Sequence, residues 1–183
     1  MITDYVFPQD NEKEFVEMGK RLGYDKLVFV YNYGEDVVEI RKKINNTQIE
    51  IGLLSLPKNI GKAQKITKHV IVRNSKDNRF VIEKNKDLII FNLEDTGKKE
   101  YIHHRSSGLN QVLCKLASEN NITVAFSFNS ILKADREYRS KLLGRIKQNV
   151  RFCNKYKVKT AVYSFAVKPY GLRNYKDLKG LLQ

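Results

Sequence analysis

The sequence predicts an α/β protein built on a parallel β-sheet. Apolar runs of strand length alternate with amphipathic helical patterns along almost the whole chain. Several of these runs, such as residues 27–31 and 88–91, are apolar at every position, which is typical of strands that are covered on both faces. The connections between successive strands and helices are short, so the crossovers are expected to be right-handed.

Seven segments fit the strand pattern: residues 4–7, 26–31, 49–54, 70–73, 88–92, 122–127 and 160–165. A parallel sheet of this kind is either open and doubly wound or closed into a barrel, and the pattern alone does not choose between the two. No glycine-rich phosphate loop follows the first strand, which disfavours a dinucleotide-binding fold. We therefore predict a small TIM-type (β/α) barrel of seven strands, or one that is imperfectly closed, as a single domain over residues 1–183.

Three helices have readable ends in the sequence. Asp10 or Asn11 can cap the first, and Gly23 can end it in a left-handed conformation. The second is predicted over residues 108–120, with apolar side chains at helical spacing, and a third, longer helix over about residues 135–157.

The charge of the chain is strongly positive and unevenly distributed. Lys and Arg number 34 against 20 Asp and Glu, a formal net charge of +14. Residues 1–40 carry a net charge of −5, whereas residues 131–159 carry +8. Such polarity can steer a polyanion onto one side of a protein, although a genome biased toward Lys, Ile and Asn would also raise the total.

The long helix gives the clearest indication of nucleic-acid binding. Its apolar side chains form one stripe along the helix. We expect its basic side chains to lie on the opposite, solvent-facing side; these are Lys141, Arg145, Lys147, Arg151 and Lys155. Because almost no acidic residues accompany them, the pattern favours contact with RNA or DNA over a merely solvated face.

A second basic segment covers residues 101–110, where a loop leads into the second helix. Arg105, together with hydroxyl and backbone N–H groups at a helix start, could hold an anion. Ordinary capping of the helix by Ser106 or Ser107 satisfies the same sequence. His103 and His104 are expected to be polar loop residues or contacts to phosphate.

Hydrolytic chemistry finds little support in the residues. The chain has three histidines, His69, His103 and His104, and their spacing does not predict a metal site on a barrel. Cys114 and Cys153 fall on helices and are predicted to be small buried hydrophobes instead of nucleophiles. We find no apolar run long enough to span a membrane and no secretory signal pattern, and we expect a reduced, cytoplasmic chain.

Several blocks of the sequence, taken in order and spacing, match a known family. They are Arg105-Ser-Ser-Gly-Leu-Asn-Gln-Val-Leu-Cys-Lys-Leu-Ala, Asn120, Phe126-Ser-Phe, Leu142-Leu-Gly-Arg-Ile-Lys-Gln-Asn-Val-Arg-Phe-Cys and Ser164-Phe-Ala-x-x-Pro-Tyr. The match runs from Asp4-Tyr-Val-Phe-Pro to Asp177-Leu. In these blocks the chain resembles archaeal ribonuclease P protein component 3.

The resemblance implies a barrel related to the PHP-type metal phosphoesterases but without their metal ligands. It implies a subunit of the ribonucleoprotein that removes the 5′ leader from precursor tRNA, in which the RNA performs the cleavage. A second small protein subunit would be its partner, in a possible heterotetramer. The chain ends at Gln183, where relatives usually continue, so the resemblance leaves an eighth strand and closing helices in doubt.

Carried over onto this sequence, the resemblance gives eight candidate RNA contacts: Arg73, Arg105, Arg136, Arg139, Lys141, Arg145, Lys168 and Arg173. Arg145 and Arg173 could instead brace the barrel or contact the partner. No catalytic residue, metal ligand or cofactor is expected in this chain. Two alternatives stay open, a metal-dependent phosphoesterase of the PHP-like barrel class and a pure protein scaffold.

Overall fold

A computed structural model describes residues 2–35, 40, 47–97 and 105–182. In this structure seven parallel strands form one sheet, and their order in the sheet follows their order in the chain. The strands are β1 (Thr3–Val6), β2 (Lys26–Asn32), β3 (Ile49–Leu54), β4 (His69–Arg73), β5 (Ile89–Phe91), β6 (Thr123–Ser127) and β7 (Lys159–Tyr163). Each strand pairs in parallel with the next. The predicted parallel α/β fold is confirmed, and the strand positions agree with the apolar runs.

The sheet closes on itself through the segment that follows β7. The Phe165 N–H donates to the Tyr5 carbonyl at 2.9 Å, and the Phe7 N–H donates to the Ala166 carbonyl at 2.8 Å. In the same seam the Asp4 carboxylate accepts from the Ser164 N–H at 2.8 Å. These bonds between β1 and the chain beyond β7 complete a nearly closed barrel, as the small (β/α) barrel prediction expected.

Helices connect the strands and cover the outside of the barrel. They are α1 (Glu12–Arg21), α2 (Ile60–Gln64), α3 (Asn78–Lys84), α4 (Gln111–Glu119), α5 (Phe128–Lys133), α6 (Arg136–Tyr156) and α7 (Tyr175–Gly180). Gly23 follows α1 with a φ of +76°, which a residue with a side chain rarely adopts, so the predicted end of this helix is confirmed.

The predicted caps hold only in part. Asn11 precedes α1, but its side chain makes no capping hydrogen bond and instead donates to the Val167 carbonyl. The alternative that Ser106 or Ser107 caps α4 is wrong, because the Asn110 side chain accepts from the Leu113 N–H at 2.9 Å. Asn110 lies directly before the first helical residue, whereas the two serines lie too far upstream.

The core has an inner and an outer part, divided by the strands. Alternate side chains of each strand point inward, and an aromatic cluster including Phe7, Phe91 and Phe165 fills the barrel toward its carboxyl end. The remaining strand residues pack outward against the helices. Cys114 and Cys153 are free and fully buried in the outer core, so the prediction that they are small buried side chains is confirmed.

Candidate nucleic-acid interface

Helix α6 presents most of the predicted cations, and its ends are well defined. The Asp135 side chain accepts from the Tyr138 N–H at 2.8 Å, and Lys157 ends the helix in a left-handed conformation. Lys147, Arg151 and Lys155 are exposed and lie opposite the buried stripe; we call these three residues the outer face of α6. No hydrogen bond or ion pair to another described residue holds any of the three side chains.

Arg145 does not lie on that solvent-facing side, and the prediction that it does is wrong. Its side chain is 2% exposed, and its guanidinium donates to the Glu94 carbonyl at 3.1 Å. The spacing explains the error, because Arg145 follows the buried Leu142 by three residues and precedes the buried Asn149 by four. Arg145 therefore ties α6 to the loop after β5, which is the bracing role that the sequence left open.

Arg139 fastens the corner between α5 and α6. Although its side chain is exposed, its guanidinium donates to the carbonyls of Ile131, Leu132 and Ala134 at 2.9, 3.2 and 2.7 Å. These carbonyls lie at the end of α5, where the helix cannot satisfy them itself. Arg139 thus satisfies a helix end while keeping its charge at the surface.

The other predicted residues of this region lie nearby on the same helix or against it. Lys141 pairs with Glu137 at 2.5 Å, one turn away on α6, and Arg136 is exposed in its first turn. Arg105 is exposed but donates to the Gly144 carbonyl at 3.0 Å, so it packs across α6. His103 and His104, predicted to be in the same loop, lie outside the described residues.

Three of the predicted cations lie at the carboxyl end of the barrel. Arg73 ends β4, with its guanidinium 5.4 Å from the centre of the Phe91 ring. Lys168 is exposed after the closing segment. Arg173 lies 5.5 Å from the centre of the Phe128 ring and donates to the Tyr170 and Leu172 carbonyls.

A cavity of about 440 Å³ opens at this end, and we call it the barrel mouth. Its lining residues come from the ends of several strands and from α5. Arg73 and Lys133 supply positive charge, while Gln9, Asn92 and Asn129 supply amide groups. In barrels of this type, binding and catalytic residues gather at the carboxyl ends of the strands. Sequence reasoning singled out Arg73 but missed the amides, which no pattern in the chain marks.

The opposite, amino end of the barrel holds a paired polar network, which we call the barrel floor: Tyr5, Lys26, Glu50, Lys68 and His69. Glu50 on β3 contacts Lys26 on β2 and His69 on β4, and it pairs with Lys68 at 2.9 Å. The Tyr5 hydroxyl lies 2.7 Å from Nδ1 of His69.

The electrostatics of the floor follow from this pairing. Hydrogen bonds from Lys26, His69 and Lys68 lower the pKa of Glu50 to about 2. Burial lowers the pKa of His69, which favours the neutral imidazole. A neutral ring with its Nε2–H donating to the Glu50 carboxylate leaves Nδ1 to accept from the Tyr5 hydroxyl.

Two further features bear on alternative functions. Within residues 2–35, 40, 47–97 and 105–182, no three His, Cys, Asp or Glu side chains lie close enough together to hold a metal ion. Among the same residues, no helix is both long and apolar enough to cross a membrane.

Comparison with known proteins identifies relatives along nearly the whole chain. The sequence is 27% identical over 190 residues to ribonuclease P protein component 3 of Methanococcus maripaludis strain C7, covering 98% of this chain and 79% of the relative. It is 29% identical to the same protein of strain C5, covering 89% and 74%. The counterpart of Methanosarcina acetivorans is 34% identical over 79 residues, covering 43% and 33%. No protein-family profile matches the sequence.

Solved structures with the same fold include two different kinds of protein. A chain of an archaeal ribonuclease P solved with mature tRNA superposes with a TM-score of 0.79 at 18% identity, covering 98% of this chain and 80% of that one. Histidinol phosphate phosphatase of Lactococcus lactis superposes with a TM-score of 0.59 at 8% identity, covering 99% and 92%. These likenesses confirm the small (β/α) barrel fold, and the curated relatives confirm the resemblance to ribonuclease P protein component 3.

Proposed function

We propose that this chain is a protein subunit of ribonuclease P, the ribonucleoprotein that removes the 5′ leader from precursor tRNA. The observation that carries the proposal is the similarity of almost the entire chain to archaeal component 3 proteins. The RNA subunit cleaves, and this chain supports its fold and activity together with a second small protein subunit. We place this assembly in the cytoplasm.

The charge distribution supports an RNA partner. A folded domain with a net charge of +14 repels itself, and RNA phosphates relieve that repulsion. The outer face of α6 leaves Lys147, Arg151 and Lys155 exposed without acidic neighbours that hold them. Most hydrogen bonds from proteins to nucleic acids go to phosphate and sugar, so an exposed helical row of cations suits backbone contact.

The predicted RNA contacts differ in how exposed they are and in whether they also bond to the protein backbone. Arg73, Arg136, Lys141 and Lys168 are exposed and able to reach phosphate. Arg105 and Arg139 are exposed but also hold backbone carbonyls, so they position the surface as well as charging it. Arg145 is assigned to bracing, because a side chain that is 2% exposed does not reach a phosphate.

Reconstitution of the ribonucleoprotein tests the proposal. Cleavage of precursor tRNA is measured at limiting magnesium with and without the chain, and with the triple variant Lys147→Ala, Arg151→Ala, Lys155→Ala. Binding to the RNA subunit is measured over a range of salt concentrations. Each lost phosphate contact should reduce the slope of log affinity against log salt by about 0.7 to 0.9.

The matched control is Lys58→Ala, Lys62→Ala, Lys65→Ala. These three lysines are also exposed, and their removal changes the net charge by the same amount on the side of the barrel where α2 lies. The proposal expects the α6 variant to lower affinity and the control to leave it nearly unchanged. Cleavage that is the same with and without the chain would overturn the proposal, and equal effects of the two triple variants would overturn the role of α6.

A further inference from the structure

The barrel mouth has the composition of a site for an anion with a planar group. Neither Arg73 nor Lys133 has an ion pair or hydrogen bond with any other described residue. The side-chain amide nitrogens of Gln9, Asn92 and Asn129 also have no partner within the described parts of the chain, whereas Oδ1 of Asn92 accepts from the Ser130 hydroxyl at 3.2 Å. These donors are exposed or half-buried around one cavity, so they are free to bind an acceptor-rich ligand that enters it.

The base of the mouth is aromatic. The Phe91 and Phe165 rings stack at 4.4 Å between centroids, and the Phe7 ring stacks on Phe165 at 5.6 Å. Phe91 and Phe165 are buried, whereas Phe7 is half-buried and lines the cavity. The Arg73 guanidinium lies above the Phe91 ring, so a cation and an aromatic surface face the same space.

The acidic residue in the described lining does not reverse this polarity. One carboxylate oxygen of Glu35 accepts from the Asn32 backbone N–H at 3.0 Å and from its side-chain amide at 2.8 Å. Glu35 is thereby held against its own loop, while two cations remain to face the ligand.

We propose that the barrel mouth binds one unpaired nucleotide of RNA. Arg73 and Lys133 contact its phosphate, the amides of Asn92 and Asn129 contact the edge of its base, and the base lies against the Phe7 ring. The inference rests on the proposed function, because the ribonuclease P complex supplies the RNA to which such a nucleotide would belong. A base inside a helix is covered by its neighbours, so only an unpaired nucleotide can present its base face and its phosphate to one cavity.

Other anions fit less well. Inorganic phosphate would use the two cations but neither the aromatic surface nor the amides. A nucleoside would use the amides and the ring but leave both cations unpaired. A cavity of about 440 Å³ lies within the range of about 300 to 1,000 Å³ that small-molecule sites occupy, so it has room for one nucleotide.

Titration of the ¹⁵N-labelled full chain tests the inference. Adenosine 5′-monophosphate, adenosine and inorganic phosphate are added separately at low salt, and the side-chain amide signals of Asn92 and Asn129 are followed. We expect saturable shifts with the monophosphate and weaker binding of the other two. Equal affinity for inorganic phosphate and the monophosphate, or no saturable shift with any probe, would overturn the inference.

Two variants and a control locate the site. Arg73→Ala and Lys133→Gln should each lower the affinity for the monophosphate, by about tenfold for Arg73, because charge-assisted hydrogen bonds are the strong ones. Arg21→Ala removes the same charge from the exposed end of α1 and should leave the affinity unchanged. If Arg21→Ala lowered the affinity for the monophosphate as much as Arg73→Ala does, the loss would come from net charge alone, and the proposed site would be overturned.

Binding of the full ribonuclease P RNA separates the two proposals. If that RNA binds the chain but the monophosphate does not, the inference fails and the proposed function stands. If the monophosphate binds at the mouth but the chain has no effect on assembly or cleavage, the proposed function fails and the nucleotide site stands.

Discussion

The two ends of the barrel treat charge in opposite ways. At the floor, Glu50 gathers Lys26, Lys68 and His69 into one paired network. At the mouth, Arg73 and Lys133 face a cavity without an ion pair to any described residue. The two ends share strands: β4 begins with His69 at the floor and ends with Arg73 at the mouth.

This difference separates stability from binding within one fold. Paired charges at the floor are satisfied internally and contribute to the free energy of unfolding. Cations at the mouth contribute little to that free energy and are left to a ligand. The division agrees with the general behaviour of (β/α) barrels, in which the carboxyl face carries function and the amino face carries stability. Substitutions at the two ends should therefore affect different measurements.

The largest effect is expected from Asp4, in the seam that joins β1 to the chain beyond β7. Burial raises its pKa to about 6, although the Ser164 and Tyr5 groups that donate to it oppose the shift. Because the folded pKa lies above the unfolded value, the free energy of unfolding falls as pH rises through about 6. The fall begins near the unfolded pKa and should amount to ~3 kcal/mol in total between about pH 2 and pH 8.

Urea denaturation of the native chain and of Asp4→Asn at several pH values measures this effect. The variant keeps a carbonyl oxygen for the Ser164 N–H but cannot ionise. Glu94 is also buried with its pKa raised to about 8, but it is common to both proteins and cancels in their difference. Parallel pH profiles for the two proteins would show that Asp4 does not titrate as described.

Glu50→Gln should lower the free energy of unfolding by about 2 kcal/mol at pH 7, because three cationic or hydrogen-bonding partners lose their carboxylate. The pKa of Glu50 is lowered to about 2, so its stabilisation is present above pH 4.5 and is lost as the pH falls toward 2. The variant should lack this acid-dependent loss. Affinity for RNA should not change, and a large loss of RNA binding in a folded variant would contradict the division between floor and mouth.

Tyr5→Phe should cost about 1 kcal/mol of stability, the usual value for one hydrogen bond. The change removes only the hydroxyl that lies 2.7 Å from Nδ1 of His69 and keeps the ring in the barrel interior. Chemical denaturation gives the change in stability, and the NMR titration of His69 gives a second readout. An unaltered His69 titration curve would contradict the hydrogen bond.

The smallest effects come from a matched pair of lysines. Lys26→Gln removes a cation that pairs with Glu50 and should cost about 0.5 to 1 kcal/mol. Lys133→Gln removes a cation of the mouth and should change stability by less than about 0.5 kcal/mol. The order should reverse for nucleotide affinity, which Lys133→Gln lowers and Lys26→Gln does not. Equal stability losses would erase the distinction between the two ends.

The strands of this fold were predictable because both of their faces are covered. Continuous apolar runs such as residues 88–91 have no other stable location in a protein of this size, and the structure places β5 there. The buried side of α6 was predicted from its apolar residues alone. Arg145 and Asn149 also lie on that side, and their polar character concealed a spacing that marks them as internal.

The mouth could be predicted only in part for a different reason. Arg73 is the last residue of a strand and is visible in the sequence, but Gln9, Asn92 and Asn129 are separated by long stretches of chain. Closure of the barrel brings them together, and no local pattern encodes that closure. The floor network was missed on the same ground, because Tyr5 and His69 meet across 64 residues.

The seam also constrains the order of events when the protein is made. Asp4 bonds to Ser164, 160 residues further along the chain, so β1 acquires its second neighbour only after the chain has been synthesised past Ser164 and has left the ribosome. Until then one edge of the first strand is unpaired and open to mispairing. Contacts between such distant positions also slow folding, so we expect closure of the barrel to be the late and slow step of folding.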